Sequence, residues 1–343
     1  MKGKTWLRSL GIKTLATRWA LMTLSSLGLI LLLLHLCAPS PQEPLGTDVP
    51  SNLPTMTQPT PPQVSAERLM QSVQDLAYER FAPKDRQRAR DYLIQSLTTW
   101  GWNPTAQPYA SGVNIKASRL GTDPRAGNIL VAAHYDTVPN TPGADDNGSG
   151  VAVVLEVARL LKDIATPRTL QIALFDEEEM GLIGSYAYAD EASNLTDLHG
   201  AIVLEMVGYT CQTPGCQRQP EGLLQVRPPS NVGDFLAVVG DAETPELLQA
   251  FENEQSPEHP SLLALSIPLK GVLTPVVLRS DHVPFWYKDV GAVMVTDTAF
   301  LRNPHYHQPT DRPETLDPVF LQQSAQMVVN ATLALLSPSA DKT

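Results

Sequence analysis

His134, Asp136, Asp145, Asp146, Glu178, Glu179, Glu205 and His307 are imidazoles and carboxylates in an order that could hold divalent cations and activate water. His134 and Asp136 close the apolar run Asn128-Ile-Leu-Val-Ala-Ala133. A two-residue spacing in an extended chain turns both side chains to one face, so the acid can orient the imidazole. Seven residues after Asp136 begins Gly143-Ala-Asp-Asp-Asn-Gly-Ser-Gly150, leading into an apolar helix from Val151. Acids there suit a helix cap. The small flanking residues also let a tight backbone present one carboxylate to two cations, with Asp145 as the bridge and Asp146 or Asn147 as the cap.

Asp176, Glu177, Glu178 and Glu179 follow the run Arg168-Thr-Leu-Gln-Ile-Ala-Leu-Phe175. Four adjacent acids repel one another unless they are solvated or neutralised by metal. On a turn, neighbouring glutamates can point differently, one to a cation and the other to the attacking water. Glu205 ends Ala201-Ile-Val-Leu204, where a lone carboxylate is poorly solvated. Asn303-Pro-His-Tyr-His-Gln-Pro-Thr-Asp311 sets two histidines and an acid in one loop. His307 with Asp311 as its orienting partner is one reading, and His305 is the alternative.

These residues need a frame. Four short apolar runs rich in branched residues, the last being Ala292-Val-Met-Val295, read as strands. Helical patterns separate them over Val151–Lys162, Leu182–Ala189 and Pro245–Glu254, and a last one, Leu316–Leu336, follows at the end. Strands joined by such helices predict crossover connections and a mainly parallel sheet covered on both faces, a single three-layer α/β/α domain. The carboxyl ends of such strands are where a ligand site forms.

At the other end, all five basic residues of the first eighteen precede an uncharged run, Trp19–Cys37. The segmentation predicted is a basic cytoplasmic stretch 1–18, a transmembrane signal anchor or signal peptide 19–38, a Pro-rich linker 39–63, the catalytic domain 64–338 and a tail 339–343. The domain is then expected on the far side of the membrane, periplasmic or extracellular, and secreted if the segment is cleaved. In that oxidising setting Cys211 and Cys216, five apart, can close a disulfide loop. Beyond the basic cluster, 20 Lys plus Arg face 36 Asp plus Glu, an acidic balance that argues against nucleic acid.

Taken together, AHYD, GADDNGSG, EEMGLIGS, LEMVG, RSDHVPF and YHQPTD, in this order from His134 to Asp311, resemble metallopeptidase family twenty-eight. These are the co-catalytic zinc aminopeptidases, with glutaminyl cyclases and the protease-like domain of the transferrin receptor among their relatives. The resemblance implies the zinc aminopeptidase fold and two zinc ions. Asp145 would bridge them, with His134 and Glu205 completing one site and Glu179 and His307 the other. It also implies Glu178 as general base, Asp136 behind His134, Tyr306 as a donor to the developing oxyanion, and a cis peptide between Asp145 and Asp146. Glu205 departs from the family, many of whose members carry Asp there. Arg279-Ser-Asp-His282 would line the substrate pocket or support the ligands.

The expected activity is removal of N-terminal residues from peptides with a free α-amine. The rivals are a glutaminyl-cyclase-like transferase and a non-catalytic binding ectodomain.

Overall fold

The computed structural model describes residues 61–220 and 226–337. The expected basic stretch and membrane segment lie outside the described residues, as does most of the linker. Helices run over Ala66–Leu76 (α1), Pro83–Thr99 (α2), Gly150–Leu161 (α3), Ile183–Asp190 (α4), Ala192–Leu195 (α5), Pro245–Glu252 (α6), Val283–Tyr287 (α7) and Pro318–Leu336 (α8). Strands are Thr105–Pro108 (β1), Val113–Arg119 (β2), Asn128–His134 (β3), Thr169–Phe175 (β4), Leu198–Glu205 (β5), Phe235–Asp241 (β6), Ser261–Ile267 (β7) and Ala292–Thr296 (β8).

The eight strands form one sheet in the order β1-β2-β4-β3-β5-β8-β6-β7. Its centre is parallel, β4 with β3, β3 with β5 and β5 with β8. The expected mainly parallel sheet is therefore mixed. β1 and β2 join antiparallel at one edge, and β6 runs against β8 at the other. Hairpin and return connections explain this, since only crossovers make neighbours parallel. β3 is buried from Ile129 onward, so its run is apolar on both faces rather than alternating.

One sheet face packs α1, α3 and α8 around Leu69, Val73, Val154, Leu155 and Val328. The other packs α4 and α7 around Phe175, Tyr188, Phe285 and Trp286. Each fully buried Leu, Val or Phe contributes about 1.5–3 kcal/mol, so these two layers are what hold the sheet. Among the described residues α8 is the one helix long and apolar enough to cross a membrane, yet 67% of its most apolar window is buried. It is a core helix, started by Pro318 and by Asp317, whose carboxylate accepts the N–H groups of Val319 and Phe320.

The consequence for chemistry lies in the strand ends. β3 finishes at His134, β4 runs into Asp176–Glu179, β5 finishes at Glu205, and β8 feeds the loop that carries His307. These four strands lie consecutively in the sheet, in the order β4-β3-β5-β8, and are parallel, so their ends converge on one edge of the sheet.

Candidate active site

Two groups of side chains meet at that edge. His134, Glu178 and Glu205 form the first, Asp146, Glu179 and His307 the second, and within each group one ligand atom per residue lies within 4.8 Å of the others. His134 Nε2 stands 3.5 Å from Asp146 Oδ1, 3.7 Å from Glu205 Oε2 and 4.0 Å from Glu178 Oε2. His307 Nε2 stands 3.2 Å from Asp146 Oδ2 and 3.0 Å from Glu179 Oε2. Asp146 thus offers one oxygen to each histidine.

The expected bridge at Asp145 is corrected by this placement. The Asp145 carboxylate is turned away, accepting from Gly208 N at 3.0 Å and from Asn303 Nδ2 at 2.7 Å, beside Asp297. Burial and the neighbouring Asp297 push Asp145 well above the usual carboxylate range, while Asp297 is raised to about 6 by burial. The pair therefore shares a proton, and Asp145 is a structural acid. The cis peptide falls one residue later than expected, between Asp146 and Asn147.

Backbone contacts explain why Asp146 faces inward. Asp311 accepts the N–H of Asp145 at 2.9 Å and of Asp146 at 3.0 Å on its two oxygens. It grips that turn rather than orienting His307, as its spacing had suggested. Asn147 ties the same turn to the end of β5, donating to Leu204 O at 2.8 Å and accepting from Met206 N at 3.1 Å. A Cβ on Gly150 would stand 2.3 Å from Asn147 Oδ1, so only glycine permits this approach.

The four acids after β4 divide into two pairs. Asp176 meets Arg86 Nε and Arg90 Nη1, both at 3.1 Å, and Glu177 meets Arg86 Nη2 at 3.0 Å. Those arginines project from α2 on the stripe that continues through Leu93 and Leu97. Glu177 is left-handed at φ 60°, and past it Glu178 and Glu179 face the histidines. Asp136 fixes both, accepting Glu178 N at 3.0 Å and Glu179 N at 3.2 Å, while its Oδ1 lies 3.4 Å from His134 Nδ1. Met206, just after Glu205, and His307 are also left-handed, at φ 51° and 58°. Such backbone costs on the order of 1–3 kcal/mol each and persists where the surroundings over-determine it.

Glu205 carries one methylene more than Asp, and Ser280 holds the longer arm by donating to Oε2 at 2.6 Å. Tyr306 stacks on the His307 ring with centroids 3.7 Å apart, and burial holds its phenol protonated. His305 instead contacts Thr310 Oγ1 and stays outside both groups.

Charge crowding is the site's main electrostatic feature. Burial raises Glu178 well above its usual value, against the pull of His134 and with the help of Glu205 and Asp281. Burial together with Asp146 raises Glu179 to about 7. Burial pulls His307 down, but Asp146 and Glu179 outweigh it and lift it to about 10. Acids and imidazoles this eager for protons are equally eager for cations.

Ligands about 2.0–2.2 Å from a tetrahedral zinc stand roughly 3.3–3.6 Å apart, close to the spacings seen here. His134 Nε2, Asp146 Oδ2, Glu179 Oε1 and His307 Nε2 are buried without any hydrogen-bond partner. Buried polar atoms left this way call for another ligand, and the N/O donor set suits zinc.

Beside Glu205 and Tyr306 opens a cleft whose apolar lining includes Val239, Leu263, Leu265 and Met294. Arg279 stands at the same cleft, over the Phe300 ring.

A mixed α/β sheet with paired histidine and carboxylate groups at its parallel strand ends defines a metallopeptidase-type hydrolase. The model of Peptidase family M28 matches residues 114–332, and the chain belongs to that family. It is an aminopeptidase-like metallohydrolase. The uncharacterized protein YfbL of Escherichia coli strain K12 is 33% identical over 300 residues, covering 81% of this chain and 89% of YfbL. A zinc aminopeptidase from Bacillus subtilis, BSAP, superposes with a TM-score of 0.51 at 26% identity, over 67% of this chain and 52% of that one. An aminopeptidase from Aneurinibacillus sp. strain AM-1 shares the fold, with a TM-score of 0.62 at 16% identity over 81% and 95% of the two chains.

Proposed function

We propose that the protein is a zinc-dependent aminopeptidase acting outside the cytoplasm, with two zinc ions per chain. The observation that carries this is Asp146 standing between two histidines, one carboxylate oxygen facing each. His134 and Glu205 would complete one zinc site and Glu179 and His307 the other, with Asp146 in the bridging place first assigned to Asp145. Zinc bound there supplies Lewis acidity, polarising a peptide carbonyl and acidifying water.

The chain's own residues do the rest. Glu178, raised by burial, takes the proton of the attacking water on its carboxylate and returns it to the leaving amine. Asp136 orients the His134 ring and holds the Glu178 and Glu179 amides, so ligand and base keep a fixed separation. Tyr306, kept protonated and braced on His307, donates to the developing oxyanion. The apolar cleft beside Glu205 takes the side chain of the N-terminal residue, which favours substrates beginning with a large apolar residue.

Both ligand groups are complete, which favours catalysis over a purely binding ectodomain. The Cys211–Cys216 disulfide supports an oxidising compartment. Metal analysis together with a panel of aminoacyl chromogenic substrates, with and without chelator, tests the reading. Zinc near two per chain and chelator-sensitive release of N-terminal leucine or phenylalanine are expected. Conversion of a glutaminyl peptide to pyroglutamate with no aminoacyl release would replace it by the cyclase reading.

A further inference from the structure

Arg80 lies outside every motif that carries the family resemblance and before the matched residues 114–332. It is wholly buried. Its Nε donates to Tyr135 O at 2.6 Å, its Nη2 to Gly143 O at 2.9 Å, and its Nη1 to Pro142 O at 2.8 Å, to Tyr78 O at 3.0 Å and to Leu76 O. All five bonds end on backbone carbonyls. The Arg80 backbone N–H adds a sixth link, to Thr137 Oγ1 at 2.9 Å.

An unpaired guanidinium is costly to bury, and two things offset the cost. One is the set of carbonyl dipoles, and the other is the negative field of Asp311, Asp136 and Asp146 around it. The fit is close enough to constrain its neighbour: a Cβ on Gly143, itself left-handed at φ 62°, would stand 2.8 Å from Arg80 Nη2.

Three of the five bonded carbonyls, those of Tyr135, Pro142 and Gly143, belong to one segment, and the other two, of Leu76 and Tyr78, anchor the arginine to the end of α1. Tyr135 follows His134 directly, and Gly143 precedes Asp146 by three residues. One rigid planar fork therefore ties together both ends of the loop that delivers one residue to each ligand group.

We propose that Arg80 is a positioning residue of the metal site, a splint that fixes the Tyr135–Gly143 segment and so sets where the Asp146 carboxylate stands relative to His134. This rests on the zinc reading above. The arginine touches neither substrate nor ligand atoms, and it acts through the backbone.

Arg80→Lys keeps the charge but cannot span these carbonyls. Zinc affinity, measured by competition with a chromogenic chelator, is expected to fall roughly 10–100-fold, the range for groups that support metal ligands. At saturating zinc the KM should stay near the wild-type value and most of the lost kcat return. An Arg80→Lys protein that folds and binds zinc within twofold of wild type overturns the proposal, whatever its melting temperature.

Should Arg80→Lys fail to fold, Thr137→Ala removes the sixth link and one methyl while leaving the five guanidinium bonds in place. It is expected to weaken zinc binding several-fold while the metal-free protein melts within a few degrees of wild type. Unchanged zinc affinity in Thr137→Ala then overturns the proposal. Wild-type protein is measured alongside, and its failure to take up zinc would sink the metal reading itself, an outcome distinct from an unchanged variant beside a zinc-binding wild type.

Discussion

Asp311 accepts the backbone N–H of Asp146 at 3.0 Å across 165 residues of sequence. With its other oxygen on Asp145 N, it dictates which of two consecutive acids faces the histidines. Asp311→Asn replaces one of those acceptors by a donor, so the turn loses half its grip. Zinc affinity should drop by roughly 10–100-fold with KM almost unchanged. Isothermal titration of the metal-free variant would read this directly, and wild-type affinity would show that the turn holds itself.

The same grip separates the two aspartates experimentally. Asp146→Asn should replace one oxygen of the carboxylate that stands between the two histidines and leave the protein holding at most one zinc, with activity near background. Asp145→Asn should keep both zincs, because Asp145 already carries the proton it shares with Asp297. Its cost is expected as stability, about 1–2 kcal/mol for a disturbed buried hydrogen bond. Zinc content by elemental analysis decides between them, and loss of metal from the Asp145 variant would restore the bridge to that residue.

How much of this was legible in the sequence depends on what fixes each feature. The ends of β3, β4 and β5 could be read because an apolar run stopping at His134, Asp176 or Glu205 marks a buried strand delivering a polar group. The choice between Asp145 and Asp146 could not, since side-chain direction in a tight turn follows backbone contacts made by Asp311 and Leu204. Nor could the partners of Asp176 and Glu177. Arg86 and Arg90 look like ordinary solvated helix charges until α2 packs against the site loop, although their spacing with Leu93 and Leu97 on one stripe was the available signal. β6 and β7 were missed for a different reason: Phe235–Asp241 and Ser261–Ile267 are short apolar runs of the kind that periodicity alone does not separate from helix.

Glu178→Gln tests the proton transfer separately from metal binding. Glutamine keeps the shape and loses the basicity, so zinc content should stay normal while kcat falls on the order of 10²–10⁴-fold. Single-turnover hydrolysis of a leucyl substrate is the measurement. Normal turnover would remove Glu178 from the base role, and lost zinc would make it a ligand, as its place beside His134 and Glu205 also permits geometrically.

Zinc uptake should depend on pH in a definite direction. In the metal-free site His307 holds its proton up to about pH 10, because Asp146 and Glu179 outweigh the burial that would lower it. Glu179, raised by burial and by Asp146, holds one up to about pH 7. A cation must displace these, so affinity rises with pH. Between about 7 and 10 at least one proton is released per chain loaded, and below 7 at least two, which steepens the dependence by roughly a further decade per pH unit. Titrations in buffers of different ionisation enthalpy count the protons, and a pH-independent affinity from 6 to 8 would contradict the crowding described for this site.

The apolar cleft makes the final prediction, about substrate choice rather than chemistry. Met294, on β8, is only partly buried and faces the cleft with Leu263 and Leu265, while Glu205 and Tyr306 form its polar end. Met294→Trp should fill the floor without touching a ligand. One methylene in such a pocket is worth about 1–3 kcal/mol, or 10- to 200-fold in specificity, and an indole displaces more than that. KM for substrates with N-terminal leucine or phenylalanine should therefore rise at least about tenfold, whereas an alanyl substrate, with little side chain to place, should keep its KM, and kcat should change little for any of them. Parallel Michaelis curves for the three substrates make the comparison. A uniform loss across all of them would mean the side chain binds elsewhere and the tryptophan acted only by distorting β8.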